Sequence, residues 1–196
     1  MMRPFILRYI SLLRTRPTVE IVYNYFHDLR HIPHVELDLN DFILKRIGHE
    51  DVHLLREVWP VNLNRMRHRL TRGDKCYALF IGGRIAHYQW IQTTGVHKIQ
   101  RAGRRIAIKP KEFISYHVRV AEWARGHNIN LYVKCQILRE HQQLGYLGAW
   151  EYTTKENIAS QKGIERAGWR FVEGYRAINL GNQIFVPLPG KLNSKL

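Results

Sequence analysis

The chain has 196 residues, 45% of them hydrophobic, 24% charged and 11% aromatic, which excludes a disordered or collagen-like polymer and fits one packed domain with a segment before it. Its 31 Lys and Arg outweigh 16 Asp and Glu to give a formal charge of +15, so anions are the expected partners: coenzyme phosphates, acidic carrier proteins, anionic lipid surfaces or nucleic acid. Only Cys76 and Cys135 are present, each within an apolar stretch, which argues against a disulfide framework or a cysteine-built metal site and for a reducing, cytoplasmic setting.

Nucleic acid is the disfavoured partner, because the basic residues are spread along the chain and no zinc-finger spacing, basic zipper or base-stacking motif accompanies them. No stretch reaches the roughly 18 uninterrupted apolar residues of a membrane-spanning helix. The opening, MMRPFILRYISLLRTRPT, interleaves Phe5, Leu7, Ile10 and Leu13 with Arg3, Arg8, Arg14 and Arg16 as a short basic amphipathic segment. Its apolar run is too short and too broken by arginine for a secretory signal. It is expected to pack on the domain as a surface helix, with peripheral contact to the anionic inner membrane surface as the alternative.

Residues 19–26, VEIVYNYF, are β-branched and aromatic and predict a strand, followed by the polar link HDLRHIPH. DFILKRI, 41–47, predicts the first strand of the main domain. Val52, Leu55, Val58 and Trp59, then Leu63, Met66 and Leu70, recur at helical spacing and predict two short helices separated at Pro60. KCYALFI and RIAHYQWIQ flank Gly82-Gly83 as a hairpin. The basic stretch 95–111 contains one short strand, RRIAI, and EFISYHVRV, 112–120, has the composition of a buried strand.

Leu131, Cys135 and Leu138 mark a helix closing at Gly145, where a left-handed cap belongs. LGAWEYTT follows as a strand, NIASQKGIERAG as a helix capped by Asn157 and stopped at Gly168, and WRFVEGYRAINL and NQIFVPL as a late hairpin. This order predicts an α/β (mixed α+β) domain, with a mixed, mostly antiparallel sheet covered by helices on both faces.

The informative unit is EFISYHVRV, the loop AEWARGHNIN and the helix that it feeds. A helix start behind a loop of little bulk offers backbone N–H groups and a positive dipole end to phosphate. Arg125 and His127 add charge there. In order and spacing the unit resembles the coenzyme A core of the GNAT acyltransferase superfamily, where a fourth strand precedes a loop R/Q-x-x-G-x-G/A, a helix, a fifth strand, and a helix that opens with Asn and ends in Gly-aromatic. The matching elements are ISYHVRV, then Arg125-Gly126-His127-Asn128-Ile129-Asn130, then Asn157 to Gly168-Trp169. The likeness covers roughly 41–186, so 1–40 reads as an N-terminal extension and 41–190 as the GNAT-like domain.

The resemblance implies direct transfer from acetyl-CoA or another acyl-CoA to a small-molecule amine, with no metal. It puts the pyrophosphate on Arg125, Gly126, His127, Asn128, Ile129 and Asn130, and the pantetheine arm on the main chain of Val118 and Val120, with Asn157 opposite. His117 is the expected general base and Tyr152 the expected acid, with Tyr116 behind it, while His87, Tyr88 and Trp90 are expected to line the acceptor cleft. Two departures stand out: Asn128 and Asn130 replace the loop glycines, and Ile164 stands where many members carry an acidic Tyr. Asn best tolerates a left-handed backbone after Gly, so the loop path is expected to survive. The pattern looks most like bacterial members associated with surface polysaccharides, which implies an amino sugar or lipid-linked sugar as acceptor. The alternatives are a long-chain acyltransferase fed by acyl-carrier protein and a non-catalytic module binding nucleic acid or membrane.

Overall fold

The computed structural model describes residues 16–181 and 184–196; most of the basic amphipathic segment lies outside them, as do Asn182 and Gln183 in the last expected strand. Among the described residues ten strands form: β1 Thr18–Asp28, β2 Phe42–Ile47, β3 Lys75–Ile81, β4 Arg84–Gln92, β5 Val96–Ile99, β6 Arg104–Ala107, β7 Glu112–Val120, β8 Gly148–Thr154, β9 Arg170–Asn179 and β10 Phe185–Pro187. The helices are α1 Leu63–Thr71, α2 Ile129–Gln143 and α3 Ile158–Arg166. Eight strands make one sheet in the order β10-β9-β1-β8-β7-β4-β3-β2, antiparallel throughout except between β7 and β8.

Both faces of this sheet are covered, as the sequence predicts. On one, α2 and α3 pack Ile129, Val133, Ile137, Leu138 and Ile164 against Tyr23, Tyr25, Leu79, Ile91 and Phe113. On the other, Val52, Leu55 and Met66 pack against Cys76, Tyr88, Trp90, Ile114 and Tyr116. The period of two along each strand sends neighbouring residues to opposite cores. Among the described residues no helix is long and apolar enough to cross a membrane.

Local signals behave as their chemistry dictates. Asn62 caps α1 through Arg65 N and Asn157 caps α3 through Ser160 N at 3.1 Å. Gly145, at φ +84°, closes α2: Tyr146 N bonds His141 O and Gly145 N bonds Gln142 O, the paired bonds of a Schellman motif.

Three sequence expectations need correction. The first expected helix is a 3-10 segment over Asp51–Glu57, because its apolar residues fill a short bridge between β2 and Pro60. The basic stretch 95–111 holds two strands, β5 pairing with β6 in a separate ribbon whose Ile99 and Ile106 bury against the sheet. Thr18–Asp28, set aside with the extension, is a central strand that pairs with β8 on one side and β9 on the other. The sheet therefore runs straight across the boundary expected at residue 41.

Candidate active site

The parallel pairing of β7 with β8 is short, from Glu112 opposite Gly148 to Ser115 opposite Glu151. Beyond it β7 continues along β4 and β8 along β1, and the strands part. A bulge accompanies the parting: Tyr88 faces Arg119 and Trp90 faces Tyr116, so Gln89 stands alone opposite His117 and Val118. His117 takes a left-handed φ of +51°, which costs a residue with a Cβ about 1–2 kcal/mol. Val118 and Val120 are half-buried on the diverging segment, and the Val118 carbonyl accepts from Arg119 Nη1 at 2.7 Å.

The loop expected to hold the donor lies on the α2 face. Gly126, at φ +91°, has no atom within 4 Å of where a Cβ would stand, and Asn128 adopts φ +55° at the N-cap of α2. The left-handed turn expected of Asn128 is thus made, and its side chain caps no α2 amide, which leaves the first-turn N–H groups for a ligand. Arg125, Gly126, His127 and Asn128 are exposed and Ile129 is buried. Arg166 Nη2 donates to Asn128 Oδ1 at 3.1 Å. These are the features a pyrophosphate requires: open backbone, free amides and flanking cations.

Asn130 turns inward instead. Its Oδ1 lies 3.3 Å from Nε2 of His87, which is fully buried and whose pKa burial pushes down to about 3. His87 thus backs the donor loop, on the side opposite Tyr88 and Trp90, which corrects its expected place in the acceptor cleft. Beside the last paired residues of the fork, Lys134 of α2 donates to both carboxylate oxygens of Glu151 on β8. Ser115 Oγ donates to Glu151 Oε2 at 3.2 Å and itself accepts from Gln89 Nε2 at 2.8 Å.

The α1 face holds both expected catalytic side chains, each in a network that sequence did not disclose. Arg69 Nη1 lies 2.6 Å from His117 Nδ1. A guanidinium can only donate, so Nδ1 accepts and the neutral ring carries its proton on Nε2. Burial, reinforced by Arg69, Arg119 and Arg65, pushes the His117 pKa down to about 3. His117 is therefore arranged as a hydrogen-bond donor, and at neutral pH it is a far weaker base than sequence suggested.

Tyr152 sits across the fork. Gln92 Nε2 donates to Thr94 O at 2.9 Å, turning Gln92 Oε1 toward His97 Nδ1 at 2.8 Å. His97 then holds its proton on Nδ1, and Nε2 accepts from the Tyr152 hydroxyl at 2.9 Å. Burial pushes Tyr152 up to about 12, so the phenol stays protonated with that proton directed at His97. Tyr116 donates to Asp74, which Arg72 also clamps. Ile164 is wholly buried, so no acid stands at its position.

Sequence reasoning missed Arg69, Asp74 and His97. The available signal was the run Arg65, Arg69, Arg72, one helix face free of acids. Asn157 keeps its Oδ1 engaged as the α3 cap, which leaves only its Nδ2 for a ligand. Elsewhere, a groove of about 470 Å³ lined by Lys45, Arg46, Tyr132 and Arg139 opens between β2 and α2, at the sheet edge away from the fork. Among the described residues no group of three His, Cys, Asp or Glu could hold a metal ion.

No protein-family model matches the chain, and no curated protein matches it in sequence. Solved structures do share its fold. A Drosophila protein aligns at 14% identity over 92% of this chain and 58% of its own, with a TM-score of 0.60. The GCN5-related glucosamine N-acetyltransferase region of a fungal multi-domain GH3 beta-N-acetylglucosaminidase aligns at 17% over 88% and 22%, with a TM-score of 0.58. A GNAT-family acetyltransferase from Colwellia psychrerythraea aligns at 17% over 88% and 60%, with a TM-score of 0.56. The chain spans less than two thirds of each of these three. At such identities the likeness establishes the fold alone, a single mixed α/β domain with a large, mostly antiparallel sheet.

Proposed function

We propose that the chain is an acyl-CoA-dependent N-acyltransferase, in its simplest form an acetyltransferase, whose acceptor amine attacks the thioester directly in the fork between β7 and β8. The observation that carries this reading is the fork itself: a parallel pair that parts at a bulge, directly before a helix whose first-turn amides no side chain caps. A thioester and an amine held side by side between the diverging strands would have most of what such a transfer needs.

In this reading Arg125, Gly126, His127, Asn128 and Ile129 hold the pyrophosphate, and Asn130 fixes the loop to β4 through His87. The main chain of Val118 and Val120 bonds the pantetheine arm and supplies an N–H to the oxyanion, and Asn157 reaches the arm through Nδ2. As the N–C bond forms and the C–S bond breaks, the nitrogen sheds its proton to water and the thiolate leaves. His117 contributes as a donor through Nε2–H. Tyr152, its hydroxyl proton engaged by His97, offers an oxygen lone pair to orient the incoming ammonium or amine. An amino sugar or lipid-linked sugar is the first acceptor class, favoured by the sequence resemblance and by the named activity of the fungal neighbour. A long-chain donor on acyl-carrier protein is the second reading, favoured by the exposed cations Arg125 and Arg166 beside the loop and the net charge of +15.

Thermal shift of the full chain with acetyl-CoA, a long-chain acyl-CoA and acyl-carrier protein tests this. A true donor at a hundred times its Kd should stabilise the fold by about 2.7 kcal/mol. Arg125→Ala should weaken that donor roughly tenfold or more, as expected for a lost charge-assisted bond to phosphate. No stabilisation by any of the three would overturn the reading.

A further inference from the structure

The α1 face of the fork carries more positive charge than its acids neutralise. Arg65, Arg69 and Arg72 recur at the spacing that shares one helix face, α1 contains no Asp or Glu, and Arg119 joins them from β7. Asp74 is the acid within reach, and it is already committed: Oδ1 accepts from Arg72 Nε at 3.1 Å and Oδ2 from Arg72 Nη2 at 2.5 Å and from the Tyr116 hydroxyl. Among the described residues, Arg69 and Arg119 have no carboxylate partner; their hydrogen bonds go to the neutral acceptors His117 Nδ1 and Val118 O and the sulfur of Met66, and Arg119 lies over the Trp59 ring at 4.9 Å.

Arg69 is only 8% exposed, and its guanidinium lies over the rings of Trp90, at 5.1 Å, and Tyr116, at 4.9 Å. Ring faces offset part of a buried cation's desolvation but do not replace a counter-ion. Donors without acceptors stand beside it. Tyr88 and Trp90 are wholly buried, and neither the Tyr88 hydroxyl nor Trp90 Nε1 has a partner. The Tyr88 ring meets His117 edge-on at 5.5 Å, and the remaining His117 proton is on Nε2. The pyrophosphate loop cannot account for this cluster, because it packs on the other face of the sheet with α2.

We infer that these residues form an oxyanion subsite: the molecule entering the α1 side of the fork carries a carboxylate or a phosphate, received by Arg69 with Arg65 and Arg119 and by the donors Tyr88 and His117. Under the acyltransferase reading on which this assignment rests, that molecule is the acceptor, so its class narrows to amines with an acidic group nearby, such as amino-sugar phosphates or amino acids. The anion supplies the counter-charge that the protein withholds, and a neutral analogue leaves Arg69 buried and unpaired.

The test uses the full chain with saturating coenzyme A, so that the phosphate loop is occupied, and measures binding by calorimetry for the matched pairs glucosamine 6-phosphate with glucosamine, and leucine with leucinamide. The member of at least one pair that carries the anionic group should bind ~30-fold or more tightly than the partner that lacks it, and the pair that responds separates phosphate from carboxylate. Arg69→Met should erase that preference while leaving coenzyme A affinity unchanged, and should not lower the Tm of the free chain, since it removes a buried unpaired charge. If Arg69→Met does not fold, Arg65→Ala and Arg119→Gln, singly, should each cut the preference several-fold. Equal binding within both pairs, or a preference that survives these substitutions, overturns the subsite even if coenzyme A binds. Preference lost with Arg69 in a chain that ignores coenzyme A and acyl-CoA keeps the subsite and overturns the acyltransferase reading instead.

Discussion

The ion pair between Lys134 and Glu151 offers a direct measure of what holds the fork in place. Both side chains are almost sealed from solvent, at 1% and 4% exposure, and they join α2 to the last residue at which β8 still pairs with β7. Lys134→Met keeps the length and apolar stem of the side chain and removes only the ammonium. Glu151 is then left with Ser115 Oγ at 3.2 Å as its remaining partner. Removing one member of a buried pair costs about 3–5 kcal/mol, because the other charge stays desolvated and uncompensated. For a domain of this size that is a fall in Tm of roughly 6–20 °C.

The companion variant, Lys134→Met with Glu151→Leu, removes both charges. Its stability should return to within about 1 kcal/mol of the parent, since a well-packed apolar replacement is often neutral or better, less about 1 kcal/mol for the Ser115 bond it forfeits. Urea unfolding of the four chains of the cycle gives the coupling energy directly, and at least about 2 kcal/mol is expected. A single variant as stable as the parent, or a double variant no better than Lys134→Met, would refute the claim that the pair is held by mutual neutralisation in a dry site.

Two further outcomes follow from the buried imidazoles and the donor loop. Burial pushes the pKa of His87 down to about 3 and those of His97 and His141 to about 4, below the ordinary value near 6.5, so the unfolded chain takes up protons first as the medium acidifies. Their stabilising contribution is complete above pH ~6.5 and is lost as pH falls toward 4 and 3. The three together should remove up to about 3 kcal/mol between pH 6.5 and 5.5, before the carboxylates respond, and urea midpoints that stay level across that interval would contradict this. In the loop, Asn128→Gly should preserve stability and bind acetyl-CoA at least as well, whereas Asn128→Val, forced to φ +55°, should lose about 1–2 kcal/mol together with donor affinity. Equal unfolding midpoints for the two variants would show that the left-handed turn carries no cost there.

Much of the fold was legible because its signals are local. Alternation marked the strands, Gly82-Gly83 the hairpin, Asn157 and Gly145 the helix ends, and each acts within a few residues of itself. The place of β1 was not legible, since its register with β8 joins positions such as Val22 and Thr154, and nothing in VEIVYNYF names that partner. A strand with apolar residues on both sides of its alternation does belong inside a sheet and not at its rim, and Tyr23, Tyr25 and Val22 are all buried. The 3-10 segment at Asp51–Glu57 escaped for the opposite reason: over two turns, helical spacing does not distinguish three residues per turn from 3.6.

The site divides along the same line. Residue types in the donor loop announced its geometry, because Asn128 needed only its own backbone preference to take the left-handed turn. His117 depended on partners that sequence does not place beside it. Its Nδ1 is occupied by an arginine 48 positions earlier, brought there by a helix on one face of the sheet and a bulge in the strand. A histidine in mid-strand reads as a base from its free-solution pKa; burial suppresses that basicity, and one guanidinium at 2.6 Å leaves the ring a donor through Nε2. The same contact links the His117 assignment to the oxyanion subsite. An anion that draws Arg69 away frees Nδ1 and weakens the charge repulsion that adds to burial in keeping the imidazole neutral, so an acidic acceptor would restore to His117 part of its basicity.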